Sequence, residues 1–250
     1  MKSITGLTVA QVNYLTEIIS ESSIVTGLPP IMPIRKGVLI ALTYLRRNRT
    51  QEDLAFTYGV SQSTASRTIS ALTVVFATLL TDWVPTLEEL PSGSGYVIDG
   101  TLVPCWSWRD HKDLYSGKHK TTGMNLQVAT DLNGRLCWIS DPLPGSTHDV
   151  TALDSHDVLQ GHDPSQWIAD KGYAGRGMIT PIKKKPDQTE LHPQDHDFNK
   201  SIHEIRWVVE RAIANLKTWR ILHADYRRPI NTFPTTISAV IALHFYAASE

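Results

Sequence analysis

Apolar positions recur at helical spacing across residues 198–222, FNKSIHEIRWVVERAIANLKTWRIL. At about 100° per residue, Ile202, Ile205, Val208, Val209, Ala212, Leu216 and Trp219 share one face. His203, Arg206, Glu210 and Lys217 form a narrow stripe beside it. One carboxylate therefore sits at the edge of a face meant for burial, flanked along the helix by cations; solvated i,i+4 pairing is the plain alternative. Residues 8–20 and 34–47 also carry helical spacing, with Pro29, Pro30 and Pro33 between them. In residues 50–76, Thr50 can cap a helix whose first turn holds Glu52 and Asp53. Gly59 permits a sharp turn, and Ser61 caps a second helix with Ala65, Ile69 and Leu72 inside. This is the layout of a helix-turn-helix. Gln62, Ser63, Thr64, Ser66 and Arg67 stand on the exposed start of its second helix, the end that meets base edges and phosphates in such motifs. A plain packing pair is the competing reading.

Residues 81–95, with Pro85, Pro91 and SGSG, read as a linker. From Tyr96 the period changes to strands. YVIDGTLVPC is an apolar run with Asp99 inside it, and two further strands flank Asn133-Gly134, a strong hairpin signal. Residues 148–159 read as a helix, with Asp149 as its cap. QWIADKGYAG reads as a strand ending at Asp170 before a turn through Gly172. Residues 186–197 read as a polar loop, and 234–248 as a last apolar helix packed on the sheet. The expected division is a helical DNA-binding domain over 1–90 and a mixed α/β domain over 95–250.

The net charge of −1 argues mildly against nucleic-acid binding, but the cations cluster. Arg35, Lys36, Arg46, Arg47 and Arg49 form one group, Arg109, Lys112, Lys118 and Lys120 a second, and Lys183, Lys184 and Lys185 a third. No basic-plus-apolar leader or membrane-length apolar run is present, so a cytoplasmic, nucleoid-associated protein without membrane contact is expected. Cys105 and Cys137 lack CxxC partners and read as small core residues. Trp106 and Trp108 read as core or edge packing, with stacking on an unpaired base as the alternative.

Asp99 in an apolar strand is costly unless something compensates it. Asp170 ends a later strand and Glu210 stands on the long helix, so the three carboxylates can converge above a sheet. Hard oxygen donors of this kind suit Mg²⁺ or Mn²⁺, and two such ions about 4 Å apart can activate a water and steady a leaving oxygen in phosphoryl transfer. Each has a plain alternative: a turn residue for Asp99, a turn cap for Asp170, a surface charge for Glu210. Lys118, His119 and Lys120, and Arg206 and Lys217, are candidates to grip DNA phosphates.

These pieces together resemble the DDE transposase domain of bacterial insertion sequences, the type shared with PIF/Harbinger elements. The matching segments are VIDGT, SGKHKTTGMNLQV, PGSTHD, ADKGY and the helix with His203, Arg206, Glu210 and Lys217. The N-terminal part resembles the helix-turn-helix preceding that domain. The resemblance covers nearly the whole chain. It implies an RNase H-like mixed sheet flanked by helices, preceded by a small all-α domain. It also implies a metal-dependent triad of Asp99, Asp170 and Glu210, served by Mg²⁺ or Mn²⁺, two ions in all. The implied partners are double-stranded DNA at element ends and target, with a homo-oligomer holding two ends. His203 stands where the family's helix motif carries Tyr, and His148 and Asp149 are auxiliary candidates. A stand-alone metal-dependent nuclease and a non-catalytic regulator are the alternatives.

Overall fold

The computed structural model describes residues 1–24, 26–106, 110–184 and 190–249. Trp108, Arg109 and Lys185 lie outside the described residues. In chain order the elements are α1 (Lys2–Thr5), α2 (Val9–Glu21), α3 (Ile34–Arg47), α4 (Gln51–Tyr58), α5 (Gln62–Leu79), β1 (Tyr96–Pro104), β2 (Tyr115–Ser116), β3 (Thr121–Asp131), β4 (Leu136–Ile139), β5 (Leu143–Pro144), α6 (Asp149–Ser155), β6 (Trp167–Ile168), α7 (Pro193–Leu216) and α8 (Phe233–Ala248). They divide into two compact units: Met1–Val84 with Leu216–Glu250, and Pro85–Asn215.

In the helical unit the caps dictate where each helix starts. Thr8 and Gln11 form a reciprocal capping box at α2, the Thr50 hydroxyl accepts from the Asp53 amide, and that of Ser61 accepts from the Thr64 amide. Gly59 ends α4 in the left-handed region at φ 61°, which makes the sharp turn into α5. Val38, Ala41 and Leu42 of α3 and Ile69, Leu72 and Phe76 of α5 are buried. Gly37 allows the close approach: a Cβ there would stand 3.2 Å from Leu72 and 3.3 Å from Thr68. The last helix, α8, packs against α5 within this unit, where a helix on the sheet was expected. Its termini partners are explicit: the Gln11 amide donates to the Tyr246 and Ala247 carbonyls, and the Tyr246 hydroxyl donates back to the Gln11 carbonyl.

In the second unit β1 is the central strand. It runs antiparallel to β3, with Asp99 opposite Val128 and Gly100 opposite Gln127, and parallel to β6, with Val97 opposite Ile168. β2, β4 and β5 also pair with β3, giving the mixed sheet. The β3–β4 connection turns at Asn133-Gly134 as expected, with Gly134 at φ 84°. Alternation sorts the side chains of β1. Tyr96 and Ile98 join a core with Ala129, Trp138, Trp167, Tyr173 and Leu153 of α6. Val97, Asp99 and Thr101 point to the other face.

Helix α7 begins at Pro193, so the expected loop over 186–197 is helical in its second half, and it ends at Leu216, before the expected 222. Arg220–Leu222 form a separate 3-10 turn. Ile202, Val209 and Ala212 of α7 are buried, but Ile205 is exposed and the apolar face is narrower than the spacing implied. Cys105 is buried and Cys137 half-buried, and neither is in a disulfide. Trp106 is 59% exposed, contrary to the core reading. No helix of the described residues is long and apolar enough to cross a membrane.

The cap at Ser61 can be separated from its surface neighbours. Ser61→Ala should lower stability by about 1 kcal/mol, whereas the exposed Ser63→Ala should stay within about 0.5 kcal/mol. Urea unfolding of both variants checks this; equal effects would remove Ser61 as the helix start.

Candidate active site

Asp99 stands mid-strand in β1 with its side chain 15% exposed. One carboxylate oxygen accepts from the Gly100 amide at 2.9 Å, and the other accepts from the Arg206 guanidinium at 2.9 Å. Burial pushes its pKa from the ordinary 3.8 up to about 6; Arg206 opposes this and the nearby charge of Asp170 adds to it. Asp99 is thus a strand residue held by a cation from α7, and not a turn residue. Arg206 Nε is buried and makes no hydrogen bond in the structure, so its guanidinium keeps an N–H in reserve.

Asp170 follows β6 and does cap the next turn, Lys171–Tyr173: its carboxylate accepts from the Gly172 amide at 2.5 Å. A Cβ at position 172 would meet that same oxygen at 2.6 Å, so glycine is what lets the turn close onto it. The cap and the electrostatic neighbourhood of Asp99 are compatible, because an ionised carboxylate accepts at both oxygens.

Asp149 departs from the expected cap. His148 takes the N-cap position of α6, without a side-chain capping bond, and Asp149 is the first helical residue. The Asp149 carboxylate accepts instead from the Lys118 ammonium at 2.7 Å and the Asn125 amide at 3.0 Å. Burial opposes ionisation, but these bonds pull its pKa below the ordinary value. It packs against Gly100, where an added Cβ would fall 2.2 Å from its Oδ1. Gly100 therefore serves as the seat of this carboxylate. Sequence reasoning missed Asn125, Gln127 and Tyr173, which form a buried chain behind it. The signal was present in MNLQV: two amides two residues apart share one face of an otherwise apolar strand.

The other candidates are placed as follows. Glu210 is exposed on α7, one turn beyond Arg206, and among the described residues no three His, Cys, Asp or Glu side chains are gathered tightly enough to hold a metal ion. Lys217 lies just past α7 in the helical unit, where burial lowers its pKa. Lys118, His119 and Lys120 form the exposed turn before β3, with Lys120 at φ 56°. His148 and His203 are exposed. On α5, Gln62, Ser63 and Arg67 are exposed, and Thr64 and Ser66 are half-buried.

Comparison with known proteins gives two family matches. Residues 98–244 match the family described as DDE superfamily endonuclease, and residues 31–82 match the helix-turn-helix of DDE superfamily endonuclease. A protein named a transposase for insertion sequence element IS112, from Streptomyces albus G, is 32% identical over 78% of this chain and 73% of its own length. One named a transposase for insertion sequence element IS702, from Microchaete diplosiphon, is 25% identical over 98% of this chain and 93% of its own. No solved structure matches.

The raised pKa of Asp99 makes a stability prediction. Below about pH 4 the group is protonated whether folded or not; between about 4 and 6 folding takes up a proton, so stability falls as pH rises through that window. Asp99→Asn removes this cost. In EDTA the variant should melt above the wild type at pH 7.5, with the gap closing toward pH 4; a gap independent of pH would refute the buried, strained carboxylate.

Proposed function

The chain belongs to the DDE superfamily endonuclease family, and on that premise we propose that it is an insertion-sequence transposase whose sheet unit cuts and joins DNA at the element's ends. The observation that carries the reading is the pair Asp99 and Asp170. Asp99 stands two residues past Val97 on β1 and Asp170 two residues past its parallel partner Ile168 on β6, so both carboxylates follow the same end of two paired strands, with Arg206 brought in from α7. Like charges so placed disfavour each other unless a cation joins them.

Both are oxygen donors of the kind that suits Mg²⁺ or Mn²⁺, and Asp99 and Asp170 would hold the ion, with Glu210 on α7 as the third candidate ligand. When bound, such an ion supplies Lewis-acid activation of water and charge neutralisation at phosphorus. The protein's own part is positional. Arg206 neutralises Asp99 and is a candidate donor to a DNA phosphate. Lys118 adds a second cation, exposed at the turn before β3. In the helical unit, Gln62, Ser63, Thr64, Ser66 and Arg67 at the start of α5 read element-end DNA, and His119, Lys120 and Lys217 add phosphate contacts. Joining a freed 3′-hydroxyl to target DNA requires two ends at once, so the working form is a homo-oligomer on DNA.

The test uses purified protein with DNA flanking its gene, in Mg²⁺, Mn²⁺ or EDTA. Metal-dependent cuts at the flanking repeats are expected. Asp170→Asn and Glu210→Gln should lose about 100-fold or more of cleavage while retaining DNA affinity. Loss of binding in these variants would sink the catalytic assignment. Cleavage without joining would leave a nuclease.

A further inference from the structure

Behind β1, on the face opposite the Asp99 side chain, four polar groups form a one-way chain. The Tyr173 hydroxyl donates to Gln127 Oε1 at 2.6 Å, the Gln127 amide donates to Asn125 Oδ1 at 2.9 Å, and the Asn125 amide donates to Asp149 Oδ1 at 3.0 Å. Tyr173 and Gln127 are fully buried and Asn125 nearly so. These three bonds run toward Asp149, with the Asn125 amide also donating to the Thr147 carbonyl at 3.2 Å, and the chain ends there because an ionised carboxylate only accepts. Its remaining oxygen accepts from the Lys118 ammonium, which emerges at the surface. The chain begins in the turn that Asp170 caps and finishes in the turn that carries Lys118.

A buried polar chain is a costly way to fill space, since apolar residues of the same volume would fold as well or better. What this one delivers is the location of one exposed cation. A lysine is a flexible point charge that loses much rotamer freedom when fixed, and ordinary surface pairing fixes it poorly. Here the acceptor is oriented from behind and seated on Gly100, the residue after Asp99. The charges of Asp170 and Asp99 reach the same ammonium.

We propose that Asp149 is a positioning residue: its buried carboxylate, aimed by Asn125, Gln127 and Tyr173, holds the Lys118 ammonium beside Asp99 and Asp170, where it meets a phosphate oxygen of the DNA strand being cut. This rests on the reading of Asp99 and Asp170 as a phosphoryl-transfer centre. Lys118 spends one N–H on Asp149 and keeps two for the phosphate. The tether also couples the two turns, so a displacement of the Asp170 turn passes through Tyr173 to Lys118.

Asp149→Asn is the surgical variant. It keeps an acceptor for Asn125 but sets an amide against the ammonium. Two readouts are needed. The first is nicking of supercoiled plasmid DNA in Mg²⁺. Asp149→Asn and Lys118→Ala should each lower kcat about 10-fold with KM within about twofold, and the double variant should be no slower than Lys118→Ala alone. Losses that multiply would overturn the proposal, as would an unchanged kcat in Asp149→Asn. The second is the rate at which an amine acylating reagent labels Lys118 in the full-length protein without DNA. It should rise several-fold in Asp149→Asn at unchanged melting temperature; an unchanged rate denies the tether. A wild type that nicks nothing, indistinguishable from Asp99→Asn, would overturn the phosphoryl-transfer reading, while the labelling rates still decide whether Asp149 holds Lys118.

Discussion

A carboxylate in the middle of an apolar strand is the constraint around which the sheet unit is arranged. Asp99 loses most of its hydration on folding, and burial raises its pKa to about 6 in spite of an arginine at 2.9 Å. That arginine comes from α7, whose buried Ile202 and Val209 bracket it in sequence. Packing of α7 therefore delivers the cation that makes Asp99 tolerable, and Asp99 in turn gives a half-buried arginine its partner. Neither is an efficient use of free energy for stability alone, because breaking even a well-formed buried pair costs more than the pair contributes. Such a compromise is characteristic of sites where chemistry sets the residue type.

The two faces of β1 do different things one residue apart. Asp99 points toward the α7 side, while position 100 faces the α6 side and must be glycine because the Asp149 carboxylate already fills the space of a Cβ. Two acidic groups thus approach one stretch of backbone from opposite faces, each with its own hydrogen-bond partners. This explains how three aspartates can crowd one region while one has a raised and another a lowered pKa. At Asp99 burial and the nearby charge of Asp170 outweigh Arg206, Lys118 and the Gly100 amide, whereas at Asp149 the bonds from Lys118 and Asn125 outweigh burial.

Much of this was legible in the sequence wherever one residue decides local geometry. Thr50, Gly59 and Ser61 marked the helix-turn-helix because caps and left-handed turns are set by near neighbours, and Asn133-Gly134 marked its hairpin for the same reason. Asp99 stood out because a charge in an apolar strand is rare, and Asp170 because glycine follows two residues later. The rest depended on long-range partners. Asp149 looked like a cap from its position, but its acceptors were taken by Lys118 and Asn125, 31 and 24 residues away. Helical period alone assigned Ile205 to the interior and extended α7 past Leu216, since period gives a face but not how wide the neighbouring surface is. The last helix read correctly as apolar, but nothing local reveals whether an apolar helix will meet a sheet or, as here, α5.

The helical unit is assembled from the segments before and after the sheet unit, with Gln11 bonded to Tyr246 and α8 lying against α5. During synthesis the residues of the helix-turn-helix emerge well before α8, which covers one face of α5. For the whole time the sheet unit is being translated, the apolar face of α5 has no α8 to bury it. A chain that stops before α8 keeps the packing of α5 on α3 and α4 but leaves the face that α8 covers open.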